Sequence, residues 1–377
     1  VAADKSMHAY VPGLDGIRAI CITLVVLGHL GFGALFPGGL GVTAFFFLSG
    51  YLITRLLAAE HDRFGKVDLP RFYGRRMLRL APELVAFVAI LGLVIAPLLH
   101  QPLPWAAAVA ALTYWTNYYF ILGMDTCTNC SITGHLWSLS VEEHFYLVMP
   151  LVMAGCAFAP KRLQSLLIGV GVACLAWRFY AHTTLNASEL YTYKSTECRV
   201  DSIGWGCLAA MVERSQPRVM AAMRDRGATL FGAGLIMVLA SLAIRDETFR
   251  ESARYTLQGL ALFIMILPMT VAPKLAWVSR ILEHPALRWM GRRSYAAYLW
   301  HYVALTFTAL ILGVAGQVET ASLTQRLVAT PMVLIGTWVL AALSYELVFK
   351  PSQKLKPLLE PRRETARPAF SREAAAS

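Results

Sequence analysis

Residues 17–36 read Ile-Arg-Ala-Ile-Cys-Ile-Thr-Leu-Val-Val-Leu-Gly-His-Leu-Gly-Phe-Gly-Ala-Leu-Phe, a twenty-residue apolar stretch holding Arg18 near its start and His29 in its middle. In an α-helix the eleven positions between them make almost a whole number of turns, so both side chains point the same way, roughly 16 Å apart along the axis. Ionisable groups within a membrane are costly and line a cavity or a chemical site rather than face lipid. Imidazole is also the side chain best suited to move protons near neutral pH. Gly28, Gly31 and Gly33 surround His29 and leave room for close approach. A plain core histidine bonded across helices is the competing reading.

The rest of the chain extends the pattern. Of 377 residues 57% are hydrophobic and 15% charged, with mean hydropathy +0.53, which excludes a soluble enzyme and points to an all-α, polytopic integral membrane helical bundle. Apolar blocks fall near 17–36, 40–58, 82–100, 105–122, 143–158, 165–181, 202–213, 228–244, 255–272, 295–314 and 327–348. Most approach the roughly 20 residues needed to cross the hydrocarbon core, while 143–158 and 202–213 look short.

The net charge of +11 sits mostly in short loops: Arg63 to Arg79, Lys161 and Arg162, Arg214 to Arg226, Lys274 to Arg293, and Lys350 to Arg363. Positive-inside bias accounts for this better than nucleic-acid binding and sets all five clusters on the cytoplasmic face. Three blocks separate the first two clusters, yet both belong on one side, so one block must be re-entrant, broken or fused with its neighbour. The 105–122 block, which ends in Tyr114-Trp115-Thr116-Asn117-Tyr118-Tyr119, is the candidate. About ten transmembrane helices follow, with both termini cytoplasmic in the cell (inner) membrane.

The first block lies behind Arg18 and carries His29, so it does not read as a cleavable signal. Cys127 and Cys130 alone among seven cysteines fall in a loop, where a disulfide and two free thiols are both open. Residues 1–356 form one membrane domain, and 357–377 a polar, disordered cytoplasmic tail. Asp68-Leu69-Pro70 marks a helix start. Tyr114 to Tyr146 reads as a partly buried, non-spanning lining on the outer side.

Arg76 and Arg79 share a helical face, with Arg75 offset by about 100°. Two guanidinium forks on one face suit phosphate groups, although snorkelling to headgroups explains most such arginines. Glu142 and Glu143 also point about 100° apart, so at most one faces a common site. Arg199 and Asp201 are read as an ion pair at a membrane boundary or as a wall of a substrate cavity. Tyr295, Tyr298 and His301 share a helical face, as packing or as cavity lining.

These residues, taken in order, resemble the membrane-bound acyltransferase-3 family. The matching segments are Gly13-Leu14-Asp15-Gly16-Ile17-Arg18-Ala19 running to His29, Phe45 to Thr54, Phe72-Tyr73-Gly74-Arg75-Arg76-Met77-Leu78-Arg79, His135-Leu136-Trp137-Ser138-Leu139-Ser140-Val141-Glu142-Glu143-His144-Phe145-Tyr146, Arg199-Val200-Asp201, and Ser294-Tyr295 to His301. His144 stands where glutamine is usual and Phe47 where valine is frequent. The resemblance implies a ten-helix enzyme that moves an acyl group, usually acetyl, from cytoplasmic acyl-CoA to an acceptor on the far side. Many relatives continue into an esterase-like domain; this sequence shows none, and a self-contained transfer is expected.

The resemblance maps the essential histidine to His29 and the CoA-binding cations to Arg18, Arg76 and Arg79, with Arg75 beside them. His29 is then the base, and Glu142 its orienting or acceptor-positioning carboxylate. Ser140 or Trp137 would steady the oxyanion, with Glu143, Arg199, Asp201, Tyr298 and His301 on the acceptor side. No metal is expected. The partners are acyl-CoA, membrane lipids, and a hydroxyl-bearing glycan or a diffusible, macrolide-like acceptor. A covalent acyl-enzyme through Ser49 or Cys21 ranks second, for want of a nucleophile turn. A proton-coupled transporter or flippase is the reading from another class.

Overall fold

The computed structural model describes residues 10–100, 103–124, 131–314 and 318–359, the side chain of Ser131 aside. Cys127, Cys130 and the tail from residue 360 onward lie outside them.

Fourteen helices organise the described residues: α1 Leu14–Phe32, α2 Gly38–Phe64, α3 Leu69–Leu98, α4 Trp105–Leu112, α5 Thr116–Ile121, α6 Trp137–Gly155 and α7 Pro160–Thr183. They continue with α8 Thr196–Ser215, α9 Pro217–Asp225, α10 Gly227–Ala243, α11 Ala253–Met269, α12 Pro285–Arg292, α13 Ser294–Ile311 and α14 Leu323–Gln353. Further short helices and turns join them, and none of the described residues is in a strand. The protein is a multi-pass membrane protein. By length and composition α1, α2, α3, α7 and α14 can each cross a membrane, and seven spans result if two sharply bent pairs, α9 with α10 and α11 with 273–282, each count as one.

The two blocks that looked short in the sequence belong to longer helices, although neither is among those apolar enough to cross a membrane by length and composition. The segment around 202–213 extends to the 20 residues of α8, and that around 143–158 to the 19 of α6. Their polar first halves interrupt the apolar windows but are buried among other helices: Arg199, Asp201 and Ser202 in α8, Ser138 and Ser140 in α6. The 105–122 block is broken, as its polar-aromatic end suggested. It splits into α4 and α5 at Thr113–Trp115, where Tyr114 takes φ 56°.

Local chemistry explains the helix starts. Asp68 accepts from the Arg71 amide at 3.2 Å with Pro70 in the first turn of α3, and Ser322 and Gln325 close a capping box on α14. The centre of the bundle is α8, packed against α2, α7 and α11. Its crossing with α2 depends on glycine: a methyl on Gly50 would run into the Ile203 carbonyl, and one on Gly206 into that of Phe47. Phe46, Phe47 and Tyr51 are fully buried beside this crossing. On the other flank α1 packs on α2 and α12, and α13 on α14.

Two cavities that meet inside the bundle

Two cavities enter the bundle and share part of their walls. One, about 570 Å³, is lined by Arg18, Arg76, Arg79, Ser49, Glu142 and Tyr295 among others. The second, about 630 Å³, is lined by His29, His135, Trp137, Tyr193 and Tyr302 among others. Val42 and Tyr298 line both, so these two side chains form the partition between them.

Four helices run past this partition, each presenting residues to both cavities. Along α1 Arg18 lies on one side and His29 on the other, and along α2 Ser49 and Gly38 do the same. On α6 the sides belong to Glu142 and Trp137, and on α13 to Tyr295 and Tyr302. The eleven-residue spacing of Arg18 and His29 thus spans the partition.

In the basic cavity, Arg18 and Arg79 have no hydrogen bond or ion pair to any described residue, although Arg79 is well exposed to the opening. The guanidinium of Arg76 lies 3.5 Å over the Tyr146 ring and 3.8 Å from the Glu143 carboxylate. Ser49 donates to Glu142 at 3.0 Å. At the mouth, half-exposed Tyr10 donates to Glu283 at 2.7 Å; burial and that carboxylate push its phenol up to about 12.

The histidine cavity holds a cluster of rings. His29 is half-buried, whereas His301 and His135 are buried. Nδ1 of His301 lies 2.7 Å from the Tyr298 carbonyl and Nε2 3.3 Å from Nδ1 of His29. A carbonyl can only accept, so a proton sits on Nδ1 of His301, and with that ring neutral its Nε2 accepts from Nδ1 of His29. His29 therefore keeps its own Nε2 lone pair for the cavity, the arrangement a general base requires. His135 stacks on Tyr302 at 4.9 Å and meets His301 edge-on at 4.9 Å. Tyr298 donates to the His135 carbonyl at 2.7 Å and is within 2.6 Å of Ser138 Oγ.

At His29 the helix loosens into a π-turn over Gly28–Phe32, with Gly31 at φ 83°. Arg326 of α14 fastens that turn by donating to the Gly31 carbonyl at 2.8 Å. A π-turn of this kind re-aims one side chain within an otherwise regular helix.

Several residues expected at the site lie elsewhere. Glu142 does not orient His29: by 1.5 Å per residue it lies about 7.5 Å along α6 from Trp137, past the partition, among Ser49, Arg76 and Tyr146. Glu143 turns to Arg76 and lines neither cavity. Ser140 is 1% exposed, accepting from the Thr116 amide and donating to the Leu136 carbonyl, and so ties down the start of α5. Arg75 pairs with buried Glu60 and donates to the Leu359 carbonyl, on the face its angular offset predicts.

Arg199 and Asp201 do not pair, because helical residues two apart face away from each other. Asp201 takes both forks of Arg178, at 2.8 and 3.0 Å, and the Thr256 hydroxyl. Arg199 donates to Thr43 and the Tyr193 carbonyl under the Tyr255 ring. Both are buried and line neither cavity. Trp137, Tyr298, Arg18, Arg76, Arg79 and His29 do face the cavities, and His301 stands directly behind His29. The sequence reading gave no role to His135 or Tyr302, although His135 opens one of the motifs.

The chain was also compared with known proteins. The acyltransferase domain family matches residues 11–342. The peptidoglycan O-acetyltransferase OatA of Listeria monocytogenes is 30% identical over 362 residues, 92% of this chain and 56% of that protein. The O-acetyltransferase OatA of Staphylococcus aureus is 31% identical over 313 residues, 79% of this chain and 51% of that protein. The chain thus spans about half the length of the curated relatives it matches. No solved structure matches it significantly.

Proposed function

The chain belongs to the acyltransferase domain family, and from that premise we propose that it is an integral membrane O-acetyltransferase that takes its acyl group from cytoplasmic acyl-CoA and delivers it to a hydroxyl of an extracytoplasmic glycan. The observation that carries this reading is that a cavity in which the Arg18 and Arg79 side chains have no bonded protein partner meets, at Val42 and Tyr298, a cavity holding His29. In this reading both termini and the basic loops face the cytoplasm of the inner membrane, in keeping with their charge.

Arg18, Arg76 and Arg79 fit the phosphates of the donor: Arg76 is drawn to Glu143, while the forks of Arg18 and Arg79 have no bonded protein partner and are open to an anion. The thioester end of the donor then extends towards the partition. His29 Nε2 takes the proton from the acceptor hydroxyl as its oxygen forms the bond to the thioester carbonyl carbon. Collapse of the tetrahedral intermediate breaks the carbon–sulfur bond, and the thiolate leaves with the proton returned from His29. His301 holds the base in the tautomer this requires, and the Trp137 indole is the donor from the original set that still faces the acceptor cavity.

The test uses purified protein in bilayer discs with acetyl-CoA and peptidoglycan fragments or other glycans, following thiol release and the mass of the acceptor. Acetyl gain that disappears in His29→Ala, with folding retained, supports the reading. Movement of a glycan across the bilayer without thiol release overturns it.

A further inference from the structure

Resting on that reading, we propose that the acceptor is an anionic saccharide, held at the mouth of the histidine cavity by Arg245, Arg250 and Arg254. These three arginines and Lys194 line the cavity, and among the described residues no carboxylate lines it. A cleft with walls of one sign focuses its field on a ligand of the other.

The acids nearby are already engaged or turned away. Asp246 caps a short helical turn by accepting from the Phe249 amide at 2.7 Å, Glu251 is buried against the Thr192 hydroxyl, and exposed Glu247 lines neither cavity. The side chains of Arg245 and Arg250 have no hydrogen bond or ion pair to any described residue, and that of Arg254 makes only a 3.0 Å bond to the Tyr255 hydroxyl and a contact with its ring. Guanidinium forks free of carboxylates are suited to carboxylate or phosphate groups.

Position adds a second argument. The loop joins α10 to α11 and reaches the histidine cavity, whereas the basic loops at the other ends of those helices carry the ordinary positive-inside load. Arginines on the far side have no such general cause. Beside them Trp137, Tyr193 and Tyr302 offer ring faces, and apolar faces of that kind suit the C–H face of a sugar. Aromatic walls with an arginine rim describe a saccharide carrying carboxylate or phosphate.

The test compares three oligosaccharides of equal length: a neutral N-acetylhexosamine oligomer, one bearing uronic-acid carboxylates and one bearing phosphate. The protein is wild type or the triple variant Arg245→Gln, Arg250→Gln, Arg254→Gln. We expect the triple variant to raise the acceptor KM for an anionic oligomer by about ten-fold or more, as loss of charged partners does elsewhere, with the neutral oligomer and acetyl-CoA unaffected. Whichever anionic oligomer shows the larger change identifies the group recognised. Equal use of all three by wild type, or an equal loss on all three in the variant, overturns the proposal.

A binding arm separates this from failure of the enzymatic reading. Titration of the same oligomers into catalytically blank His29→Ala protein in phosphatidylcholine discs is expected to show anionic preference that the three arginine substitutions abolish. That result supports the site even if wild type releases no thiol. Lack of any preference there overturns it, as does loss of saccharide binding to phosphatidylglycerol added to the disc, which would assign the arginines to lipid.

Discussion

The arginines of α7 and α8 and those of α1 and α3 are equally conspicuous as charges in apolar sequence, yet the bundle treats them in opposite ways. Arg178 and Arg199 are fully buried and turn their forks to Asp201, Thr256, Thr43 and backbone carbonyls. Arg18 and Arg79 face a cavity without a bonded protein partner. The first set holds helices together; the second leaves its capacity for a ligand. The same contrast separates the histidines: His301 is spent on Tyr298, which frees His29.

The largest expected effect lies on the unspent side. In the proposed function His29 is the base and the arginine cavity holds the donor, so His29→Ala should lower kcat by about a hundred- to ten-thousand-fold with little change in the donor KM. His301→Gln should reproduce part of that loss, because only Nε2 of His301 fixes the tautomer. Single-turnover transfer measured alongside acetyl-CoA binding checks both. Equal losses of binding and turnover would erase the distinction between the two cavities.

On the spent side the cost appears as stability. Asp201→Asn leaves Arg178 buried without its counter-charge, a change worth about 3–5 kcal/mol. Folded protein recovered in detergent should drop sharply, while the fraction that folds should keep its donor and acceptor KM values. A normal yield with a raised acceptor KM would return Asp201 to the substrate wall where its motif first suggested it belonged.

These pairs show how far the sequence carries. The helical bundle, the break after Leu112 and the joint alignment of Arg18 with His29 follow from periodicity and the cost of burying charge, which are local. Whether a buried charge is met by protein or by ligand is decided across helices, and no spacing shows it. Arg178 sits towards the end of α7 and finds Asp201 from α8, so neither could be assigned from its neighbours. Glu142 was legible as a buried acid but not as one beyond the partition, because the position of Tyr298 along α6 depends on how α13 packs. His301 was legible as a ring sharing a helical face with Tyr295 and Tyr298, but only the packing brings it within 3.3 Å of His29.

A smaller effect is expected from Arg79→Ala. Its guanidinium has no protein partner to strand, so the fold should survive, and the loss should fall on the donor. Removing a charged hydrogen bond of about 1.5–3 kcal/mol should raise the acetyl-CoA KM by about ten- to a hundred-fold, with acceptor KM unchanged. Lysine at the same position should restore part of it, since charge returns without the fork. An unchanged donor KM would place Arg79 with the lipid-facing cations and weaken the contrast between the two sets of arginines.

The smallest effect tests the partition. Tyr298→Phe keeps the ring between the cavities but removes the hydroxyl that donates to the His135 carbonyl and meets Ser138. That carbonyl then goes unmet by Tyr298, at a cost of about 1 kcal/mol, while the wall itself stays closed. Transfer should therefore fall only a few-fold, with both KM values near those of wild type. Tyr298→Ala, which removes the wall, should instead increase hydrolysis of acetyl-CoA relative to transfer, because water from the acceptor side then reaches the thioester. If the phenylalanine variant loses as much activity as His29→Ala, the hydroxyl takes part in the chemistry and the partition is a catalytic group in its own right.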